Sequence, residues 1–149
     1  MENFDQLIPA KFKILDDGVL ITNAAGEILW FNSAFEMMCG YTLAEVEGKK
    51  PGSFLQGAKT DPEVVANLRA AINAGMPCSV ELTNYHKDGH EYLVQITLTP
   101  VRKKGRDINY FAAIEREFTE EELTAFGREN LERVLHDSLA ELVLELEQD

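Results

Sequence analysis

Three strand-like runs stand in succession between residues 78 and 118, and they constrain the fold more than any other feature of the chain. They are Cys78–Tyr85, Glu91–Arg102 and Ile108–Phe118, and each contains several β-branched and aromatic residues. Lys87-Asp88-Gly89 separates the first pair, and the basic segment 103–106 separates the second pair. Because connections this short join antiparallel neighbours, the three runs predict an antiparallel sheet.

The first half of the chain adds two strands and several helices to this prediction. Gly18–Asn23 and Glu27–Asn32 flank a short Ala-Ala-Gly turn and predict a hairpin, while Ser33–Met38 and Thr42–Val46 are typical of short helices. Segment 60–74 predicts a longer helix, because it begins with Thr-Asp-Pro-Glu and is followed by Gly and Pro. Together the patterns predict an α+β domain, a five-stranded antiparallel sheet with helices on one face.

Acidic charge is concentrated at the C-terminal end of the chain. Residues 1–118 hold 16 acidic and 12 basic side chains, whereas residues 119–149 hold 10 acidic and 2 basic ones. Thr119 and Glu122 have the spacing of a capping box, so one long helix is predicted from that point. Five leucines recur along it at helical spacing: Leu131, Leu135, Leu139, Leu142 and Leu146. Such a helix is marginal alone in water, so we expect its leucine stripe to pack on a partner or on the domain body.

Composition excludes several classes of function. With 14 basic and 26 acidic residues the net charge is −12, which disfavours nucleic acid and anionic membrane surfaces as partners. No apolar run approaches the roughly 18–20 residues of a membrane span, and the N-terminus lacks a signal-peptide pattern. Two cysteines suit a reducing compartment, so a cytoplasmic protein is predicted. An enzyme is not predicted, since the chain has no glycine-rich phosphate loop and no nucleophile with a plausible histidine partner.

Ordered blocks of sequence resemble a PAS domain over residues 14–118. They include FNSAF at 31–35, FLQG at 54–57 and NYHKDG at 84–89. The last two blocks most resemble the LOV branch of that family, the blue-light sensors that bind flavin mononucleotide. The resemblance implies a PAS fold and a sensory or regulatory module that dimerises and drives a separate effector. Residues 1–13 are then an N-terminal cap segment, and 119–149 a signalling helix that mediates a parallel homodimer.

The resemblance also implies a set of flavin contacts, with FMN as the cofactor and FAD as the alternative. Gln56 matches the glutamine of the FLQ block, and Arg69 matches an arginine that reaches the flavin phosphate. Asn84 matches the asparagine that pairs with the pyrimidine edge of the ring. A second ring asparagine is replaced here by Val94, and the glutamine beside flavin N5 is replaced by Glu115. If it is buried and protonated, Glu115 could exchange a proton with the flavin and follow its redox state.

One departure from the LOV pattern concerns light chemistry. LOV photosensors carry a cysteine two residues before the Phe of FLQ, and that cysteine forms an adduct with the flavin. Here the position is Gly52, and Cys39 and Cys78 lie elsewhere. The resemblance therefore implies a sensor of redox state, oxygen or light that works without a cysteinyl photoadduct.

A rival interpretation is a cofactor-free PAS module that signals by dimerisation and protein contacts alone. The two differ in one expectation: a flavin site requires Asn84 and Gln56 both to point inward. Haem is not expected, because residues 60–75 contain no histidine. His86 and His90 are interpreted as exposed turn residues, so no metal site is predicted.

The C-terminal segment has a resemblance of its own. Around Leu135-His136-Asp137 it is similar to the dimerisation helix of one histidine-kinase family, in which the histidine accepts phosphate. His136 could thus be the substrate of a partner kinase, or simply a helical histidine beside a dimer seam.

Overall fold

The computed structural model describes residues 3–105 and 107–148. Its strands are β1 (Gly18–Asn23), β2 (Ile28–Phe31), β3 (Cys78–Tyr85), β4 (Glu91–Val101) and β5 (Tyr110–Phe118). They form one antiparallel sheet in the order β2-β1-β5-β4-β3, which confirms the predicted fold class. Within the predicted basic segment 103–106, Arg106 lies outside the described residues.

Eight helices surround the sheet in the described part of the chain. They are α1 (Phe4–Leu7), α2 (Ala10–Lys13), α3 (Ser33–Cys39), α4 (Leu43–Val46), α5 (Gly52–Leu55), α6 (Pro62–Ala74), α7 (Glu120–Phe126) and α8 (Arg128–Leu146). Local signals explain both ends of α6. The Asp61 side chain caps its start by accepting a hydrogen bond from the Glu63 N–H, and Gly75, at φ +66°, ends the helix. Among the described helices, none combines the length and apolar composition needed to cross a bilayer.

Helices cover both faces of the sheet, whereas the sequence predicted helices on one face plus a C-terminal helix. The alternation of side chains along β1 separates two cores, with Val19 and Ile21 in one and Leu20 in the other. The first core includes residues of α1, α2 and α8, and we call that side of the sheet the α8 face. The second core includes residues of α3 and α4 and packs against α6, and we call that side the cavity face.

The C-terminal segment contains the predicted long helix, α8, but that helix begins at Arg128 and a separate short helix, α7, precedes it. The Thr119 hydroxyl caps α7 by accepting from the Glu122 N–H (3.0 Å), as the capping-box spacing predicted. Gly127 then adopts φ +91°, a conformation that glycine reaches without strain, and it separates α7 from α8. Helix α7 buries none of its residues.

The leucine stripe of α8 packs on the sheet of its own chain. All five leucines are buried, and α8 contacts β4 and β5. Two ion pairs also join α8 to the rest of the domain. Glu141 pairs with Lys11 of α2, and Arg128 pairs with Glu81 of β3. Of the two expectations for the stripe, the structure confirms packing on the domain body. The leucines are therefore not a free homodimer seam in this conformation.

Candidate functional site

A cavity opens on the cavity face, between the sheet and helices α5 and α6. Its empty volume, with the solvent-filled mouth included, is about 610 Å³. Most of its lining is apolar and comes from both the strands and the helices: Leu20, Leu55, Leu68, Leu82, Ile96 and Phe111. Such a lining would shield a flat, largely apolar ligand from water.

Three of the four residues that the sequence singled out line this cavity. Gln56 stands directly after α5, Asn84 lies near the end of β3, and Glu115 lies in the middle of β5. Asn84 and Gln56 therefore line the same cavity. Three polar side chains from separate parts of the sequence thus converge in an apolar cavity.

The Asn84 side chain is the clearest sign that the cavity is built for a polar contact. It is only 2% exposed, and its Oδ1 has no hydrogen-bond partner among the described residues. The Tyr92 hydroxyl, on the residue opposite Asn84 in the β3–β4 register, is also buried. It lies close enough to the Asn84 side chain to interact with it, but no hydrogen bond of normal geometry joins the two. A buried polar atom left unpaired costs about 1–3 kcal/mol, so a ligand edge that pairs with Asn84 would recover that free energy.

Glu115 is a buried carboxyl that is largely protonated at neutral pH. It is 4% exposed, and burial raises its pKa to about 8. Burial also raises the pKa of the neighbouring Cys39 thiol to about 11, with a smaller contribution from the charge of Glu115. A protonated Glu115 can donate a hydrogen bond, and after losing its proton it can only accept one. The cavity therefore holds a group whose hydrogen bonding changes with one proton.

Gly52 also lines the cavity, at the position where the LOV pattern has its reactive cysteine. A Cβ atom there would lie 2.7 Å from Gln56 Nε2, so the glycine leaves room for the Gln56 side chain. Cys39 is buried at the end of α3, and Cys78 is half-buried at the start of β3. Neither thiol lines the cavity in the described part of the chain.

Arg69 is not brought into the cavity. Its neighbours Leu68 and Ile72 on α6 line the cavity, whereas Arg69 itself is exposed and absent from the lining. Val94, which replaces the second ring asparagine of the LOV pattern, is fully buried in the adjacent core. The residues present therefore fit the ring of a flavin better than they fit its phosphate tail.

Comparison with known proteins settles the family. A family model described as PAS domain matches residues 16–120. The chain belongs to the PAS domain family.

Similar proteins place it within the LOV branch of PAS domains. It is 36% identical over 121 residues to a blue-light photoreceptor of Listeria innocua serovar 6a, a match that covers 79% of this chain and 47% of the photoreceptor. It is 39% identical over 93 residues to a blue-light-activated histidine kinase of Rhizobium johnstonii, which covers 62% of this chain and 27% of the kinase. The chain thus spans about half or less of the length of these relatives.

Solved structures agree with this placement. The LOV domain of a blue-light activated histidine kinase from Erythrobacter litoralis superposes with a TM-score of 0.66 at 28% identity. The superposition covers 71% of this chain and 99% of that domain. The chain is therefore a PAS domain of LOV type.

Tyr92 is a polar neighbour of the site that the sequence does not single out. Its ring is buried in the core, as predicted, and its residue lies opposite the cavity-lining Asn84 in the β3–β4 register. The signal was available, because the Lys87-Asp88-Gly89 turn fixes a register in which the two residues are directly opposed. The polar end of a buried tyrosine was the missing consideration.

Proposed function

We propose that this LOV-type PAS domain is a sensory module that binds a flavin non-covalently in the cavity and signals without a cysteinyl photoadduct. The observation that carries the proposal is the convergence of Gln56, Asn84 and Glu115 in an apolar cavity with Asn84 Oδ1 unpaired. FMN is the proposed cofactor, with FAD as the alternative. When bound, the flavin supplies absorption of blue light and the capacity to take up electrons.

Each polar residue has a proposed role toward the ring. Asn84 pairs with the pyrimidine edge, and Gln56 and Glu115 approach the opposite, reactive edge. Arg69 lies on the same helix as two lining residues, so we assign it to the phosphate outside the mouth of the cavity. The absence of a thiol from the described lining supports signalling without a covalent bond to cysteine.

We propose that Glu115 transmits a change in the cavity to the rest of the domain. Its carboxyl can hold or release one proton beside the ring, and it lies on β5 next to Ile114, which faces the core under α8. A change in the hydrogen bonding of Glu115 would therefore shift a strand that also supports the C-terminal helix. Redox state, oxygen or light is the proposed stimulus.

We propose that the C-terminal helix transmits the signal to an effector or a kinase partner. A homodimer through this helix would have to use its outward surface, where Val134 and Leu144 are exposed, or an undocked state of α8. His136 is exposed on the same helix, in reach of a partner kinase. Two free cysteines support the proposed cytoplasmic location.

Absorption spectroscopy of the full chain tests the proposal. We expect the purified protein, as isolated or after addition of FMN, to show the structured blue band of an oxidised flavin. Denaturation should release the flavin with its mass unchanged, because no covalent bond holds it. Illumination should leave the protein mass unchanged as well, and a Cys78→Ser variant should respond to light as the unaltered chain does.

Two results would contradict the proposal, and they are distinguishable. A colourless protein that takes up neither FMN nor FAD would favour the cofactor-free PAS module. A flavin-sized increase in protein mass on illumination, lost in Cys39→Ser or Cys78→Ser, would show that a thiol adduct forms.

A further inference from the structure

The turn between β3 and β4 brings together two imidazoles and a carboxylate outside the cavity. His86 Nδ1 lies 3.2 Å from Asp88 Oδ1, and His90 Nδ1 lies 2.6 Å from the same oxygen. One donor atom from each of the three side chains falls within 4.8 Å of the other two. From sequence alone the histidines are interpreted as exposed turn residues, because no cysteine or acidic partner stands at a recognised ligand spacing.

The backbone of this turn is held in place from two sides. The His86 N–H donates to the His90 carbonyl (2.8 Å), and the Gly89 N–H donates to the His86 carbonyl (2.8 Å). Gly89 adopts φ +98°, which glycine allows without strain. The Lys87 N–H donates to the Cys39 carbonyl (2.9 Å), which fastens the turn to the end of α3. The three donor side chains therefore project from a backbone that is already ordered.

The distance of 3.2 Å between His86 Nδ1 and Asp88 Oδ1 is close to the donor spacing of a zinc site, whereas the hydrogen bond of 2.6 Å between His90 Nδ1 and Asp88 Oδ1 must open to admit an ion. Bonds of about 2.0–2.1 Å to a tetrahedral Zn²⁺ separate neighbouring donor atoms by about 3.3 Å. The two rings stack with centroids 4.6 Å apart and planes at 17°, so their lone pairs run nearly parallel. One ring must turn for both nitrogens to meet a single ion, and the His90 side chain, 57% exposed, is free to do so. Binding also replaces the hydrogen bond from the Asp88 N–H to His86 Nδ1 (3.1 Å).

We propose that His86, Asp88 and His90 bind one Zn²⁺ ion through two imidazole nitrogens and one carboxylate oxygen, with the remaining position open to water. Imidazole nitrogens suit Zn²⁺ along with other late first-row divalent ions, whereas Ca²⁺ or Mg²⁺ would require more oxygen ligands. The His90 N–H donates to Asp88 Oδ1 (2.9 Å) and lowers the pKa of that carboxyl, which keeps it ionised. Lys87 is paired with Glu45, which reduces its repulsion of a cation.

Zinc at this turn would stiffen one end of the cavity. Asn84 lies two residues before His86, and Tyr92 lies two residues after His90. The ion would therefore join the ends of the two strands that carry the unpaired Asn84 and Tyr92 groups. The zinc proposal rests on the turn alone and does not require that a flavin be bound.

Calorimetric titration of ZnCl₂ into the full chain tests this site. We expect saturable binding of one ion per chain, reversed by a chelator and weakened as the pH falls, because imidazoles must be neutral to bind the metal. His86→Gln and His90→Gln should each reduce the affinity at least tenfold, and Asp88→Asn should also reduce it. The matched control is His136→Gln, the remaining histidine of three, which should bind zinc as the unaltered chain does.

The site is also visible in the imidazole resonances of the three histidines. Zinc should shift those of His86 and His90 and leave that of His136 in place, and circular dichroism should show that each variant keeps its fold. The proposal is overturned if no saturable binding occurs, or if His86→Gln and His90→Gln both bind as the unaltered chain does. It is also overturned if His136→Gln or Cys78→Ser abolishes binding, because the ion would then lie elsewhere.

Discussion

The two faces of the sheet are both covered by helices, but the coverings differ in kind. On the α8 face, the leucines of α8 pack against the sheet, and Leu135 and Leu142 are fully buried there. On the cavity face, α5 and α6 leave an open cavity between themselves and the sheet. A face closed by leucines contributes stability, whereas a face that retains a lined cavity can accept a ligand.

The buried polar groups of the two faces can also be compared. The cavity face holds Asn84 and Tyr92 with unpaired atoms and Glu115 with a raised pKa. On the α8 face Gln95 also has an unpaired Oε1 among the described residues, but its Nε2 donates to Ser79 Oγ (2.8 Å). Buried polar atoms without a partner among the described residues therefore occur on both faces, two on the cavity face and one on the α8 face.

The largest effect is expected from removing leucines on the α8 face. Leu135→Ala combined with Leu142→Ala should lower the free energy of unfolding by about 2–5 kcal/mol for each leucine, because both side chains are fully buried. Urea denaturation followed by circular dichroism measures this loss. Val134→Ala combined with Leu144→Ala is the matched control on the exposed side of α8, and each change should have an effect within about 0.5 kcal/mol. Equal effects from the two pairs would mean that α8 is not docked in solution.

An effect of a few kcal/mol is expected from Glu115→Gln, and it should depend on pH. Since burial raises the pKa of Glu115 from 4.5 to about 8, the folded protein binds one more proton than the unfolded chain between these values. Its free energy of unfolding should therefore fall as the pH rises from 4.5 to 8 and level off above that range. Glu115→Gln should remove this decline.

Stability measurements at several pH values, made without flavin, check this prediction. Glu117→Gln is the control, because Glu117 lies on the same strand but is exposed. A decline that persists in Glu115→Gln would show that another group titrates.

The smallest effect is expected from Arg69→Ala. Arg69 is exposed, so a contact with the flavin phosphate should be worth less than about 1 kcal/mol, or about fivefold in affinity. The variant should weaken the binding of FMN and leave the binding of riboflavin, which lacks the phosphate, unchanged. Equal weakening of both would indicate that Arg69 supports the shape of the cavity and not the phosphate.

Much of the fold could be predicted from local signals. Alternation and short turns located all five strands, and caps located α4 and α6, because these features depend on neighbouring residues. The break at Gly127 was missed, since one glycine in a helical pattern does not by itself show which conformation it adopts. Packing of α8 on its own sheet was one of two open expectations. Such packing depends on contacts between residues far apart in sequence.

The site was predictable where a motif of the LOV family matches the sequence. Gln56, Asn84 and Glu115 were all singled out, and the structure brings them to one cavity. The exposure of Arg69 depends on the rotation of α6 about its axis, which motif spacing alone does not determine. Asp88 was missed as a partner of His86 and His90 because its carboxylate comes close to both imidazoles only in the folded turn.

The most direct test of the account is an equilibrium titration of FMN into the full chain. We expect saturable binding of one flavin per chain, weakened about tenfold in Asn84→Ala by the loss of one hydrogen bond to the ring. Asn73→Ala, an exposed asparagine on α6, should bind as the unaltered chain does. No saturable binding, or equal affinities for both variants, would contradict the assignment of the cavity face to a flavin.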